Sequence, residues 1–173
     1  MSLILALDAS SGPACLALLA DGRVLAEAEF ARAGAEATAG HVTALLGRCE
    51  LTVGSLEGVV VGMGPGSFMG TRGAVGFALG LAWGAGIRIW PISTLALWGA
   101  RVGLPGQVVV ACDAGRQQVY WSLTSAADRA QGQLTRHLLS GASQLGGLLP
   151  SSVVIAAALN PTTAAALRRG LRG

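Results

Sequence analysis

Short apolar runs separated by polar or glycine-rich breaks set the pattern of this chain. Leu3 to Leu7 is one such run, ending at Asp8; Ala14 to Leu19 is a second, closed by Asp21-Gly22 before Arg23 to Phe30. These segments predict three consecutive antiparallel strands, because an Asp-Gly pair tolerates the positive φ angles of a two-residue hairpin turn. From Glu36 to Cys49 the apolar positions Val42, Leu45, Leu46 and Cys49 recur at helical spacing. A strand at Val59 to Val61 then enters a glycine-rich loop, followed by a helix from Thr71 to Ala85 and a strand from Ile87 to Pro91. Ser93-Thr94 caps a further helix that runs through Arg101.

After a plausible linker, Leu104-Pro105-Gly106, the pattern starts again. Ala6-Leu7-Asp8-Ala9 and Ala111-Cys112-Asp113-Ala114 each follow an apolar strand and precede a turn and a second strand, Ala14 to Leu19 or Val119 to Leu123. The repeated order of strand, aspartate, turn and strand implies an internal duplication. Two lobes are therefore expected, at residues 1–103 and 107–173, the second shortened and ending in a strand, Val153 to Ala158, and a helix, Thr162 to Arg169, opened by Asn160-Pro161. This organisation points to an α/β protein of the actin-like, ribonuclease-H-like fold, in which two aspartate turns face each other and, in active members, hold metal and nucleotide phosphate. Asp8 and Asp113 are the candidates for that role. An aspartate ending a strand also commonly bonds its own backbone, and both readings stand at this point.

The loop Gly62-Met63-Gly64-Pro65-Gly66-Ser67-Phe68-Met69-Gly70-Thr71-Arg72 packs four glycines and one proline into its first nine positions. Little side-chain bulk lets such a backbone turn tightly and bring N–H groups to an anion or a partner, with Ser67 or Thr71 capping the helix that follows. Ser10, Gly64, Gly66 and Ser67 are the weak ligand candidates here, beside Asp8 and Asp113. A tight turn that binds nothing fits the same residues. Three familiar loops are excluded. The chain has no lysine, so it holds no Walker motif; Ser67 occupies the third glycine position of the dinucleotide fingerprint; and Pro65 and Met69 replace the glycines of a nucleophile elbow.

After Arg72 the helix from Thr71 to Ala85 is apolar on every side, with Gly73, Gly76, Gly80 and Gly84 along one of them and no further charge before Arg88. One sheet covers one face of a helix, so a second face needs a partner or the chain's other lobe. Four helical glycines, each costing about 1 kcal/mol against alanine, favour the partner through close backbone approach.

Composition narrows the classes. The 173 residues are 52% hydrophobic, enough for one substantial core, and twelve arginines against nine acids leave a formal charge of +3. Arg168, Arg169 and Arg172 form a small basic terminus that reads as a solvated tail, and no arginine run interleaves with aromatics as in a nucleic-acid groove. Cys15, Cys49 and Cys112 are few and scattered, which implies reduced thiols in the cytoplasm. His41 and His137 are isolated, so no metal-ligand spacing exists. The uncharged stretch from Gly73 to Ile87 is shorter than the about 20 residues of a membrane span, and the start shows no basic targeting region.

Gly62 through Arg72 resembles the pattern Gly-Arg-Gly-Pro-Gly-Ser-Phe-Thr-Gly-Leu-Arg of the TsaB (YeaZ) family, with Met63, Met69 and Thr71 as departures. Leu7-Asp8-Ala9-Ser10, Ser93-Thr94-Leu95 and Asp113 to Trp121 resemble that family's Leu-Asp-Thr-Ser, Ser-Thr-Leu and Asp-Ala-Arg-Arg-Gly-Glu-Val-Tyr-Trp, so the likeness runs to about Trp121. It implies a cytoplasmic, non-catalytic subunit that binds and activates TsaD in threonylcarbamoyl-adenosine synthesis on tRNA, with TsaE completing the complex. By the same resemblance this chain alone binds no cofactor. ATP and metal sit on TsaD, tRNA is met mainly through the complex, the unpartnered chain forms a homodimer, and no membrane is involved. Where many relatives carry His-Ser-Glu this chain has Gly34-Ala35-Glu36, which leaves no paired histidines for a metal. The partner interface is expected at Ala74, Val75, Ala78, Leu81 and Ala82 with Val42 and Leu45 of the preceding helix. Ala74→Glu or Ala78→Glu should then break association and spare the fold. The rivals are an actin-fold phosphotransferase or ATPase built on Asp8 and Asp113, and a glycoprotease-type peptidase.

Overall fold

The structure is a computed structural model that describes residues 2–31, 35–102, 105–130, 137–149 and 154–171. Gly34, Leu104, Val153 and Arg172, each singled out in the sequence, lie outside the described residues. The chain divides into two units, Met1–Ile92 and Ser93–Gly173.

In the first unit β1 (Leu3–Asp8), β2 (Ala14–Ala20) and β3 (Arg23–Phe30) form the expected antiparallel meander. Helix α1 (Ala35–Arg48), β4 (Gly58–Gly62), α2 (Phe68–Ala85) and β5 (Arg88–Ile92) follow. The sheet order is β3-β2-β1-β4-β5, with β1, β4 and β5 parallel. Strand alternation puts Leu3, Leu5 and Leu7 on one face beside Leu16, Leu18, Val59 and Val61, and Val42, Leu45 and Leu46 of α1 pack on that face with α2. The Asp21-Gly22 turn has φ angles of 49° and 79°, as its composition predicts.

The second unit contains α3 (Thr94–Arg101), β6 (Val108–Gly115), β7 (Gln118–Thr124), α4 (Ala126–Ala130), β8 (Leu138–Gly141), β9 (Val154–Ala158) and α5 (Pro161–Gly170). Its sheet order, β8-β7-β6-β9, repeats the first four strands of the other sheet with the same directions. Each sheet thus has an aspartate-ended central strand between an antiparallel and a parallel neighbour, which is the duplication read from the sequence.

Two differences from the sequence reading have plain causes. The boundary falls at Ile92/Ser93 and not at 103–107, because Leu95 of α3 is buried against Val108, Val110 and Cys112 of β6. The opposite face of β6, through Val109 and Ala111, meets Trp121, Leu145, Ala166 and Leu167. A strand covered on both faces reads as an unbroken apolar run, as Val108–Cys112 does. Helix α4 and strand β8 were too short for periodicity to mark. A local signal for α4 does exist in Ser125-Ala126-Ala127-Asp128: Ser125 Oγ accepts from Asp128 N at 3.2 Å while Asp128 Oδ2 accepts from Ser125 N at 2.9 Å. Among the described residues no helix is long and apolar enough to cross a membrane.

The β6–β7 turn holds two side chains in the left-handed region where the β2–β3 turn holds one, Asp21, beside a glycine. Arg116 and Gln117 occupy its two central positions at φ 51° and 59°, where a side chain costs about 1–2 kcal/mol. Gln117→Gly is expected to raise stability by about 0.5–1 kcal/mol after the loss of glycine entropy is subtracted, which thermal denaturation would register as about 2 °C. An unchanged or lower melting temperature would contradict the strain assignment.

Candidate glycine-loop site and helix face

The glycine loop closes against the turn that follows β1. Asp8 Oδ1 accepts from Ser10 N at 2.6 Å, an Asx turn, and the Asp8 carboxylate lies directly over Gly62, where any Cβ would overlap it. A Cβ at Gly66 would likewise overlap the Ser10 carbonyl, and that same carbonyl accepts from Ser67 N at 2.5 Å. Ser67 Oγ then caps α2 by accepting from Gly70 N at 3.2 Å, which starts the helix at Phe68, three residues before the expected Thr71. Met63 N donates to Ile92 O at 2.9 Å and ties the loop to the end of β5. Gly64, at φ 81°, precedes a cis peptide bond to Pro65. Of the ligand candidates, Asp8, Ser10, Gly66 and Ser67 are thus brought together, with Gly64 in the same loop. Two of the loop's glycines are required by this internal contact.

Asp113 repeats the arrangement in the second unit. Its Oδ1 accepts from Gly115 N at 2.6 Å, and its Oδ2 accepts from the backbone N of Asn160 at 3.3 Å and from the Asn160 side-chain amide. Asn160 Oδ1 in turn caps α5 at Thr163 N, 2.9 Å away. Both oxygens of Asp113 are engaged within its own unit, and Asp8 is built into a turn. No group of three His, Cys, Asp or Glu side chains suited to a metal gathers among the described residues. His41 stacks on Phe30 with ring centroids 4.0 Å apart, and His137 Nε2 lies 2.8 Å from Ser93 Oγ. On β2, loss of water around Cys15, then the charges of Glu29, Asp8 and Glu27, raise its thiol pKa and make it a poor nucleophile.

Helix α2 corrects the expected interface. Ala74, Ala78 and Ala82 face the unit's own sheet and are buried, as are Val42 and Leu45, while Val75 and Leu81 are half-buried at its flanks. The small alanines at every fourth position let the helix sit close to the strands. Ala74→Glu or Ala78→Glu would therefore strike the core and unfold the unit. The face open to water holds Met69, Gly73, Gly76, Leu79, Gly80, Trp83 and Gly84, with Phe68 at its head; Trp83 is 89% exposed. The sequence held the clue in the 74/78/82 spacing, but large apolar residues are ordinarily the buried ones, and here the small ones are.

A family model described as "TsaD: tRNA N6-adenosine threonylcarbamoyltransferase" matches residues 28–160. With TsaB-named proteins among its curated relatives at 33–36% identity, the chain belongs to the TsaB (YeaZ) family. A Haemophilus influenzae protein named tRNA threonylcarbamoyladenosine biosynthesis protein TsaB is 36% identical over 123 residues, 69% of this chain and 52% of that one. An uncharacterized Mycobacterium tuberculosis protein is 38% identical over 93 residues, 53% of this chain and 43% of its own length. This chain spans about half the length of the curated relatives it matches. YeaZ from Pseudomonas aeruginosa superposes with a TM-score of 0.72 over 97% of this chain and 91% of that one at 24% identity, a likeness of fold. The actin-like α/β class read from the duplicated aspartate turns is the fold of this TsaB family member.

Two substitutions test the loop. Gly66→Ala is expected to lower stability by about 1–3 kcal/mol, since the Ser10 carbonyl is backbone and cannot swing aside. Thr71 Oγ1 is buried without a hydrogen-bond partner, so Thr71→Val should raise stability by about 1 kcal/mol. Urea denaturation measures both, and the opposite sign in either would overturn this description of the loop.

Proposed function

We propose that this chain is a non-catalytic subunit that docks on TsaD and activates it for threonylcarbamoyl-adenosine formation in tRNA, with TsaE and ATP completing the assembly. The open face of α2 carries the reading. From Met69 to Trp83 it runs about 21 Å along the helix, apolar at both ends and glycine-rich between, with Arg72 as its one charge. An exposed apolar surface of this kind is a protein contact, and its glycines admit a partner backbone. Burial of Leu79 and Trp83 would each contribute about 1.5–3 kcal/mol to association. Family membership supports TsaD as the partner, and the name of the Haemophilus relative supports the tRNA modification.

In this reading the same face pairs two copies when TsaD is absent, which gives the homodimer. ATP and the catalytic metal belong to TsaD, because Asp8 and Asp113 serve their own turns. A cytoplasmic setting agrees with the free thiols of Cys15, Cys49 and Cys112.

Size-exclusion chromatography with light scattering, on the chain alone and mixed with TsaD, tests the proposal. Leu79→Glu and Trp83→Glu are each expected to weaken co-elution by about 100-fold or more, since a carboxylate is desolvated only in the complex. Their melting temperatures should stay near that of the parent, whereas Ala78→Glu should yield no folded protein. Undiminished co-elution of both exposed-face variants would remove the proposal's support. Metal-dependent ATP turnover by the isolated chain, abolished by Asp8→Ala, would favour the phosphotransferase in its place.

A further inference from the structure

The chain's modest charge conceals an asymmetry. Residues 1–92 hold five arginines and seven carboxylates, a formal −2, while residues 93–173 hold seven arginines and two carboxylates, a formal +5. Both carboxylates of the second unit are engaged internally, Asp113 by Gly115 and Asn160 and Asp128 by the N–H and O–H of Ser125. Among the described residues the one ion pair joins Arg88 to Glu57, in the first unit.

Contacts between segments distant in sequence bring two arginine-bearing stretches against the same short segment, Ala142–Ser143. Gln117 of the β6–β7 turn accepts through its carbonyl from Ala142 N at 2.8 Å. One residue further on, the Ser143 carbonyl lies against Gly170 so closely that a Cβ there would overlap it. Arg116 precedes Gln117, and Arg168 and Arg169 precede Gly170, so the tip of the turn and the last turn of α5 both adjoin the Ala142–Ser143 segment. All three arginines are exposed. Cations in a last helical turn complement the helix dipole, which accounts for charge at 168 and 169. It does not account for Arg116, which belongs to no helix and is held at φ 51°, a conformation that favours asparagine or glycine.

We infer that the corner formed by Arg116, Arg168 and Arg169 is a contact site for the phosphate backbone of RNA. Guanidinium groups suit phosphate oxygens through paired N–H donors, and such contacts position a polyanion without reading its bases. The choice of RNA over an acidic protein rests on the proposed role in tRNA modification. A three-phosphate contact is weak alone and strongly dependent on salt, which suits a subunit whose complex supplies the remaining grip.

The full chain is titrated into a fluorescein-labelled, unmodified tRNA transcript, with fluorescence anisotropy followed at several salt concentrations. Three phosphate contacts predict a log–log slope of about −2.7, so binding should weaken about 40-fold from about 50 to about 200 mM salt. Arg116→Asn, which suits the left-handed position, combined with Arg168→Gln and Arg169→Gln should flatten that slope. Arg48→Gln, in the last turn of α1, controls for loss of an arginine elsewhere and should change affinity less than about twofold. The pair Arg168→Gln with Arg169→Gln, which leaves the turn intact, should flatten the slope in part. A parental slope in the triple variant, or an equal loss in Arg48→Gln, overturns the inference. Tighter binding of labelled polyglutamate than of the transcript overturns the RNA assignment in favour of an acidic protein. The triple variant should still co-elute with TsaD, so failure of this inference and failure of the partner reading are scored by separate measurements.

Discussion

The contact of the Asp8 carboxylate with the α-carbon of Gly62 is the constraint around which the first unit is arranged. It joins the ends of β1 and β4, two parallel strands, at the one place where the chain must leave the sheet and reverse into α2. Ser10 extends the junction, since its amide bonds Asp8 and its carbonyl takes the amide of Ser67. With Ser67 so placed, its hydroxyl caps α2, and the axis and rotation of that helix follow. Glycine at 62 and 66 is therefore a matter of backbone approach, and the loop's resemblance to a phosphate cradle reflects the same need for closeness met by a different surface.

Rotation of α2 decides what the molecule shows to water. Alanines at 74, 78 and 82 bring the helix near the sheet, and the price of that closeness is that Leu79 and Trp83 are turned outward. An apolar face left open by a buried small-residue stripe is a costly arrangement for a free protein and a sensible one for a subunit. The second unit uses the same strand–aspartate–turn device with a different lock: where the first has Gly62, the second has Asn160, which bonds Asp113 and caps α5 at once. Asparagine supplies by hydrogen bonding the closure that glycine supplies by absence.

The order of strands and helices apart from α4 and β8, the duplication and the caps at Ser67, Ser93 and Asn160 were legible in the sequence, because each depends on neighbours along the chain: alternation, helical spacing, turn chemistry and hydroxyl or amide caps. The residues of the loop site were legible too, since glycine, proline and aspartate at a strand end announce a tight turn. What only the tertiary structure decided was which way those groups face. The outward side of α2, the membership of α3 in the second unit and the approach of the β6–β7 turn and of Gly170 to the Ala142–Ser143 segment all depend on contacts between segments far apart in sequence. Hydrophobic periodicity does not rank the faces of a helix that is apolar all round, and the alanine spacing at 74, 78 and 82 gains its meaning only once the sheet lies against it.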